Sequence, residues 1–158
     1  MKEVDFRFMK HLFELQATWD GGRNSEGTIE AGNLKTTISI PVPMGGPGVG
    51  TNPDEMLLGA ASTCYLITLA AMLERAGIVP ISHTLTSEAT VDVTNNIFTY
   101  ESIIHRPIVV LPRGSDEEIV GKAQKLAMQA ESACMISRAL AGNVKVSAEP
   151  NIQVKSSE

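Results

Sequence analysis

Cys64 and Cys134 are the residues of this chain whose chemistry is most distinctive. They lie far apart in the sequence, so neither a Cys-x-x-Cys redox turn nor a compact zinc knuckle fits them. A thiol reacts as its thiolate, and an ordinary pKa of about 8.5 leaves little thiolate at neutral pH without a stabilising neighbour. The two cysteines can act together only if the fold brings them into contact.

Arg23 is the candidate for a cation that stabilises the Cys64 thiolate. It follows two glycines, which let the backbone approach closely, and its guanidinium is planar and permanently charged. Asp54 can fix that guanidinium by a bidentate ion pair. The alternatives stay open: Cys64 as a small buried hydrophobe, Arg23 as a solvated turn residue and Asp54 as an acid at a helix N-terminus.

The elements that position these residues begin with strands. Alternating apolar residues predict strands at 8–19 and 34–40, paired antiparallel across a loop that contains Arg23 and Asn24. Between them and the next element, residues 41–50 hold three prolines and four glycines. That composition breaks helices and sheets, so it predicts a long loop, with a lid as one interpretation.

A long helix follows, and it carries Cys64. Asn52 suits the N-cap, Pro53 suits the first helical position, and Gly77 suits the C-terminal stop. The helix is apolar over most of its circumference, which predicts a place in the core or at a subunit interface. Ser62, Thr63 and Thr68 interrupt its apolar run, so we expect a core helix and no membrane span.

The second half of the chain predicts a hairpin, two helices and a last strand. Asn95-Asn96 suits a tight turn, and Ser115 with Glu118 forms a capping box. The order of elements predicts an α+β fold with antiparallel pairing, in one domain over 1–158. The predicted elements are strands at 84–93 and 97–111, a helix from Ser115 to near Ser132, a short helix at 134–140 and a strand at 144–154.

Composition excludes several partners. The net charge is −5 and the mean hydropathy is +0.04. Because the chain has no basic run, we expect no nucleic-acid or anionic-membrane partner.

The first residues lack the pattern of a signal peptide, which favours the cytoplasm and reduced thiols. His11, His83 and His105 form no ligand pair, so we expect no metal and place them on strand surfaces. The sequence contains no phosphate-binding motif, so we expect no nucleotide cofactor.

Three motifs follow one another along the chain: Gly-Gly-Arg-Asn at 21–24, Gly-Thr-Asn-Pro-Asp-Glu at 50–55 before the Cys64 helix, and the segment 134–140 that begins with the second cysteine. In this order they resemble the OsmC/Ohr family of osmotically induced and organic hydroperoxide resistance proteins. The resemblance implies an OsmC-like fold, with antiparallel sheets packed around long central helices in an intertwined homodimer. It also implies a thiol-dependent peroxidase, without cofactor, in oxidative-stress defence.

The resemblance assigns a role to each candidate residue. Cys64 matches the peroxidatic cysteine, Cys134 the resolving cysteine and Arg23 the arginine of the Gly-Gly-Arg turn. Asp54 falls where many members have glutamate, so adjacent Glu55 can share the role of anchoring Arg23. Met135 is a second departure, because the family usually has proline after the resolving cysteine.

The implied reaction is the reduction of an organic hydroperoxide, and less well of hydrogen peroxide. Cys64 becomes a sulfenic acid, Cys134 condenses with it, and an external dithiol, lipoyl or thioredoxin-like, reduces the disulfide. Two alternatives remain: a non-enzymatic dimer of the same fold that binds a small apolar ligand, and a thiol redox sensor.

Overall fold

The computed structural model describes residues 9–156, and the chain divides into two compact units, Met1–Pro53 and Asp54–Glu158. The first unit holds a three-stranded antiparallel sheet in the order β1-β2-β3. Its strands are β1 (Gln16–Trp19), β2 (Gly27–Ala31) and β3 (Leu34–Ile38), followed by a short 3₁₀ helix, Val42–Met44. The single domain over 1–158 stays a prediction.

The strand prediction for this unit is wrong in two respects. Residue 8 lies outside the described residues, and residues 9–15 are exposed without regular structure, so β1 is a third of the predicted length. The predicted pairing of its two strands is also wrong, because β2 lies between β1 and β3 and pairs with both. Alternation marks a strand only where a partner strand exists. Strand β2 has two strand-favouring residues, Thr28 and Ile29, and its other three residues are glycine, glutamate and alanine, which are depleted in strands.

The second unit holds the long helix, a second sheet and two shorter helices. Strand β5 pairs antiparallel with β4 on one side and parallel with β6 and β7, one after the other, on the opposite side. The elements are α1 (Pro53–Arg75), β4 (Ser82–Thr94), β5 (Ile97–Leu111), α2 (Glu117–Ala133), α3 (Met135–Leu140), β6 (Lys145–Ala148) and β7 (Asn151–Val154).

The α1 helix and the β4–β5 hairpin confirm the predictions for these elements. Helix α1 begins at Pro53 and ends at Arg75, and Gly77 follows at φ +72°. Asn95 and Asn96 take φ values of 53° and 61°. Positive φ at both central positions is what a two-residue hairpin turn with the twist of its strands requires.

The last strand differs from the prediction. Residues 144–154 form two strands, because Pro150 has no N–H for the ladder and interrupts pairing between them. Both strands run parallel to β5, so the predicted antiparallel pairing applies only to the first sheet and to β4–β5. The break between β6 and β7 also brackets Pro107 of β5, which likewise lacks an N–H.

The cap of α2 is a further correction. Asp116, not Ser115, is the N-cap residue, and its Oδ1 accepts the N–H of Ile119 at 2.9 Å. The hydroxyl of Ser115 instead donates to the carbonyl of Pro112 at 2.8 Å. Either residue suits an N-cap by type, and the backbone path of the turn decides between them.

The core of the second unit lies between α1, α2 and the sheet. Helix α1 buries one face in this core, and the fully buried residues of α2 that pack there are alanines. The hydroxyl of Tyr65 donates to the carbonyl of Ala127 at 2.8 Å. The opposite face of α1 is exposed, with Ile67 at 71%. The core helix is therefore buried on one side only within this chain. Its buried residues are Ala61, Tyr65, Leu69 and Leu73.

The placement of His105 on a strand surface is wrong. Its ring is fully buried on β5, stacked on Tyr65 with centroids 4.7 Å apart, and its Nδ1 lies 2.7 Å from the hydroxyl of Ser87. Burial lowers the pKa of the imidazole. The inward face of β5 passes through position 105, which explains why a polar ring lies in the core.

Among the described residues, α1 is the one helix long and apolar enough to cross a membrane. Length and composition do not separate a membrane span from the core helix of a soluble protein, and four residues of α1 are buried within the second unit. Helix α1 is thus not a clear membrane span.

Candidate active site

Cys64 lies at the middle of α1, half-buried, in the wall of an open cavity of about 430 Å³. We call this the cysteine cavity. Two segments build it: consecutive turns of α1, and the first residues of α3. Most of its lining is apolar, and the residues are Ala60, Thr63, Cys64, Ile67, Thr68, Met135 and Ile136.

Cys134 lies at the junction of α2 and α3 and is fully buried. Its backbone N–H still bonds the carbonyl of Ala130 at 3.0 Å, while its own carbonyl accepts the N–H of Arg138 at 3.0 Å. Its ψ of 129° turns the chain between the two helices. Backbone hydrogen bonds to both helices therefore fix where the second thiol lies.

The two thiols meet, although the sequence places them far apart. Burial alone raises the pKa of Cys64, but hydrogen bonds from the Cys134 side chain and from other groups outweigh it, so the pKa is lowered. For Cys134, burial raises the pKa, and the hydrogen bond to Cys64 raises it further. Both cysteines are free thiols in this structure. The geometry therefore favours Cys64 as the thiolate and Cys134 as the protonated donor.

Three further groups stabilise the Cys64 sulfur, and the sequence analysis missed them. The backbones of Ile136 and Met135 hydrogen-bond Cys64, as does the side chain of Thr68, and each lowers its pKa. The first N–H groups of a helix have no partner within it, so those of α3 are available to the sulfur. All of these donors are neutral. For Thr68, the spacing of four residues from Cys64 on one helix is a signal that the sequence does carry.

Arg23 lies in the turn between β1 and β2, where it bonds the loop after β3. Its Nη2 donates to the carbonyl of Met44 at 2.8 Å, and its Nη1 lies 3.3 Å from the carbonyl of Gly45 and 3.0 Å from Oδ1 of Asn24. These bonds hold the turn and the loop of the first unit together. Arg23 and Cys64 belong to different units, and the pairing between them stays a prediction.

Asp54 and Glu55 lie in the first turn of α1. The backbone carbonyl of Asp54 accepts the hydroxyl of Tyr100 at 3.2 Å, and burial together with the charge of Asp54 raises the pKa of that phenol. Cys64 lies ten residues further on, about 15 Å along the helix axis, beyond the reach of either carboxylate. Glu55 lines a different cavity, of about 310 Å³, together with Ser87. The anchoring of Arg23 by Asp54, with Glu55 sharing the role, stays a prediction.

Within residues 9–156, no three histidine, cysteine, aspartate or glutamate side chains cluster in a way that can hold a metal ion.

Comparisons with known proteins agree with the fold. The sequence profile of the family described as OsmC-like protein matches residues 45–149, which include both cysteines. The uncharacterized protein YmaD of Bacillus subtilis is 56% identical over 144 residues, covering 91% of this chain and 96% of YmaD. Peroxiredoxin OsmC of Escherichia coli is 28% identical over 133 residues, covering 82% of this chain and 90% of that protein.

A solved structure gives the same result for the fold. The crystal structure of an organic hydroperoxide resistance protein OsmC from Legionella pneumophila superposes with a TM-score of 0.68 at 25% identity, covering 93% of this chain and all (100%) of that chain. The predicted α+β, OsmC-like fold is confirmed by this match.

Proposed function

Because this chain belongs to the OsmC-like protein family, we propose that it is a thiol-dependent peroxidase that reduces organic hydroperoxides. The observation that carries the proposal is the contact between Cys64 and Cys134, with the pKa of one lowered and that of the other raised. A peroxidase with two cysteines needs a thiolate to attack and a second thiol within reach to resolve the product. The lowered pKa of Cys64 and the nearby Cys134 thiol support this assignment.

The reaction balances with the two thiols, a hydroperoxide and an external reductant. The Cys64 thiolate attacks the terminal peroxide oxygen, the O–O bond breaks, and the alkoxide takes a proton to leave as an alcohol. The Cys64 sulfenic acid then condenses with the Cys134 thiol and releases water. The chain contains two cysteines, so an external dithiol, lipoyl or thioredoxin-like, must reduce the disulfide by exchange.

The cysteine cavity supports a preference for organic hydroperoxides over hydrogen peroxide. Ile67, Met135 and Ile136 present apolar surface beside the reactive sulfur. Burial of an alkyl or aryl group contributes roughly 25 cal/mol per Å² of apolar area, and hydrogen peroxide has no such group.

Arg23 and the acids at the start of α1 complete the proposal. Arg23 would stabilise the Cys64 thiolate and the departing alkoxide, and Asp54, with Glu55, would hold its guanidinium. We place the protein in the cytoplasm as a homodimer. The exposure of Ile67, at 71%, and of Met135, at 64%, supports a second copy that covers this apolar surface.

The first experiment mixes reduced protein with cumene hydroperoxide and, in parallel, with hydrogen peroxide. Stopped-flow thiol loss and peptide mass mapping should show a rapid Cys64–Cys134 disulfide, formed faster with the organic peroxide. Cys64→Ser should abolish the reaction, and Cys134→Ala should stop it at a sulfenic acid that dimedone traps. Slow oxidation of Cys64 at equal rates by both peroxides would instead favour a ligand-binding dimer.

A second experiment tests the arginine. Arg23→Ala should slow oxidation of Cys64, whereas Arg75→Ala removes an exposed guanidinium that bonds only within α1, to the carbonyl of Ala71, and serves as the matched control. Equal rates for the two variants would remove Arg23 from the mechanism.

A further inference from the structure

Thr68 and Cys64 lie on the same face of α1, one turn apart. Side chains four residues apart on a helix are neighbours. Both line the cysteine cavity, and the Thr68 hydroxyl lies within hydrogen-bonding reach of Cys64 Sγ. Thr68 is itself half-buried, so water competes only partly for that hydroxyl.

Thr63 shows what a threonine on this helix does when it has no such neighbour. Its hydroxyl donates to the carbonyl of Gly59 at 2.8 Å and lies 3.2 Å from that of Ala60. This bond to the preceding turn is the usual local alternative for threonine in a helix. Thr63 also lines the cysteine cavity. The two threonines therefore share type, helix and cavity, but one bonds the backbone and the other reaches the reactive sulfur.

We propose that Thr68 is a positioning residue, whose hydroxyl donates its hydrogen to Cys64 Sγ and holds the thiolate toward the cysteine cavity. The proposal rests on the function proposed above and adds a residue to that site. A hydroxyl donates more strongly to a thiolate than to a thiol, because hydrogen bonds to charged groups are the stronger ones. Thr68 therefore favours the reactive form of Cys64 without adding charge to an apolar cavity.

The test measures the pH dependence of Cys64 alkylation by iodoacetamide in the full-length reduced protein, with peptide mass mapping to separate Cys64 from Cys134. Thr68→Val keeps the shape of the side chain and removes the hydroxyl, and it should raise the pKa of Cys64. Below the pKa, the thiolate fraction falls with that rise, and alkylation should slow severalfold. Thr68→Ser should restore the original profile, and Thr63→Val should leave it unchanged.

Three results would overturn the proposal: an unchanged profile in Thr68→Val, an equal shift in Thr63→Val, or no restoration by Thr68→Ser. Thermal unfolding of each variant shows that the profiles come from folded protein. Iodoacetamide does not use the peroxidase reaction, so the two proposals fail separately. A wild-type protein that alkylates as expected but does not consume cumene hydroperoxide would refute the peroxidase and leave the role of Thr68 intact.

Discussion

Met135→Pro removes one donor from the Cys64 sulfur and leaves the fold intact. Met135 is the first residue of α3, a position where proline is favoured because its missing N–H is not needed within the helix. Cys134 before it has φ −63° and ψ 129°, the extended conformation that a residue preceding proline adopts. The substitution therefore changes the hydrogen bond between the Met135 backbone and Cys64 rather than the backbone path.

The size of the effect follows from the donors that remain. A hydrogen bond to a charged group is worth about 1.5–3 kcal/mol. Cys134, Ile136 and Thr68 still donate to the sulfur in the variant, so we expect a loss near the lower limit. A loss of about 1.4 kcal/mol corresponds to a rise of one unit in the pKa of Cys64. At any pH below that pKa, the thiolate fraction falls about tenfold.

The assay is the pH profile of Cys64 alkylation, read by peptide mass mapping. Met135→Leu is the matched control, because it keeps the backbone N–H and the apolar wall of the cavity. Circular dichroism of both variants checks that α3 and the rest of the fold persist. If the folded proline variant had the same Cys64 pKa as the leucine variant, the backbone of α3 would not stabilise the thiolate and the reasoning would be refuted.

Three other predictions concern stability, measured by urea unfolding. Burial lowers the pKa of His105, so below an ordinary histidine pKa of about 6.5 the unfolded chain binds a proton that the folded chain excludes. The free energy of unfolding should therefore decrease as the pH decreases, by up to about 1.4 kcal/mol per pH unit. His105→Gln should flatten this slope; an unchanged slope in that variant would contradict the assignment. Asp116→Ala should cost about 1 kcal/mol through loss of the α2 cap, and Ser115→Ala less than about 0.5 kcal/mol; the reverse order would restore the capping-box interpretation. Asn96→Ala should cost about 1 kcal/mol because of its positive φ, while Asn96→Gly should not destabilise the hairpin; equal losses would argue against strain in the turn.

The parts of the fold that the sequence predicts well have local causes. Helix α1 has a proline at its first position and a glycine beyond its end, and the β4–β5 hairpin has two asparagines that accept positive φ. The predictions that failed concern strand pairing and burial, which depend on elements distant in the sequence. Strand β2 has only two strand-favouring residues, Thr28 and Ile29, and it pairs with a strand on each side. The burial of His105 depends on a face of β5 that α1 covers. Single-sequence patterns do not contain these tertiary partners.

The same contrast between local signals and tertiary contacts applies to the candidate site. Cys64 and Cys134 are identifiable by type, and the resemblance to a family assigns their roles, but the contact between them depends on the turn of the chain between α2 and α3. The sequence analysis looked for a cation to stabilise the thiolate, because a charged residue is visible in a sequence. Within the second unit the structure instead supplies neutral donors: the Cys134 thiol, two backbone groups and a threonine hydroxyl. A backbone N–H has no signature in residue type, so only the structure identifies it.

Neutral donors and a cation predict different behaviour, and that difference separates their contributions. A guanidinium interacts over several ångströms and is weakened by salt where solvent reaches it, whereas a hydrogen bond acts at contact and is little affected by ionic strength. If the neutral donors dominate, the Cys64 pKa should stay nearly constant between low and high salt and rise when Thr68 loses its hydroxyl. If Arg23 dominates, the pKa should rise with salt, and Arg23→Ala should remove that dependence.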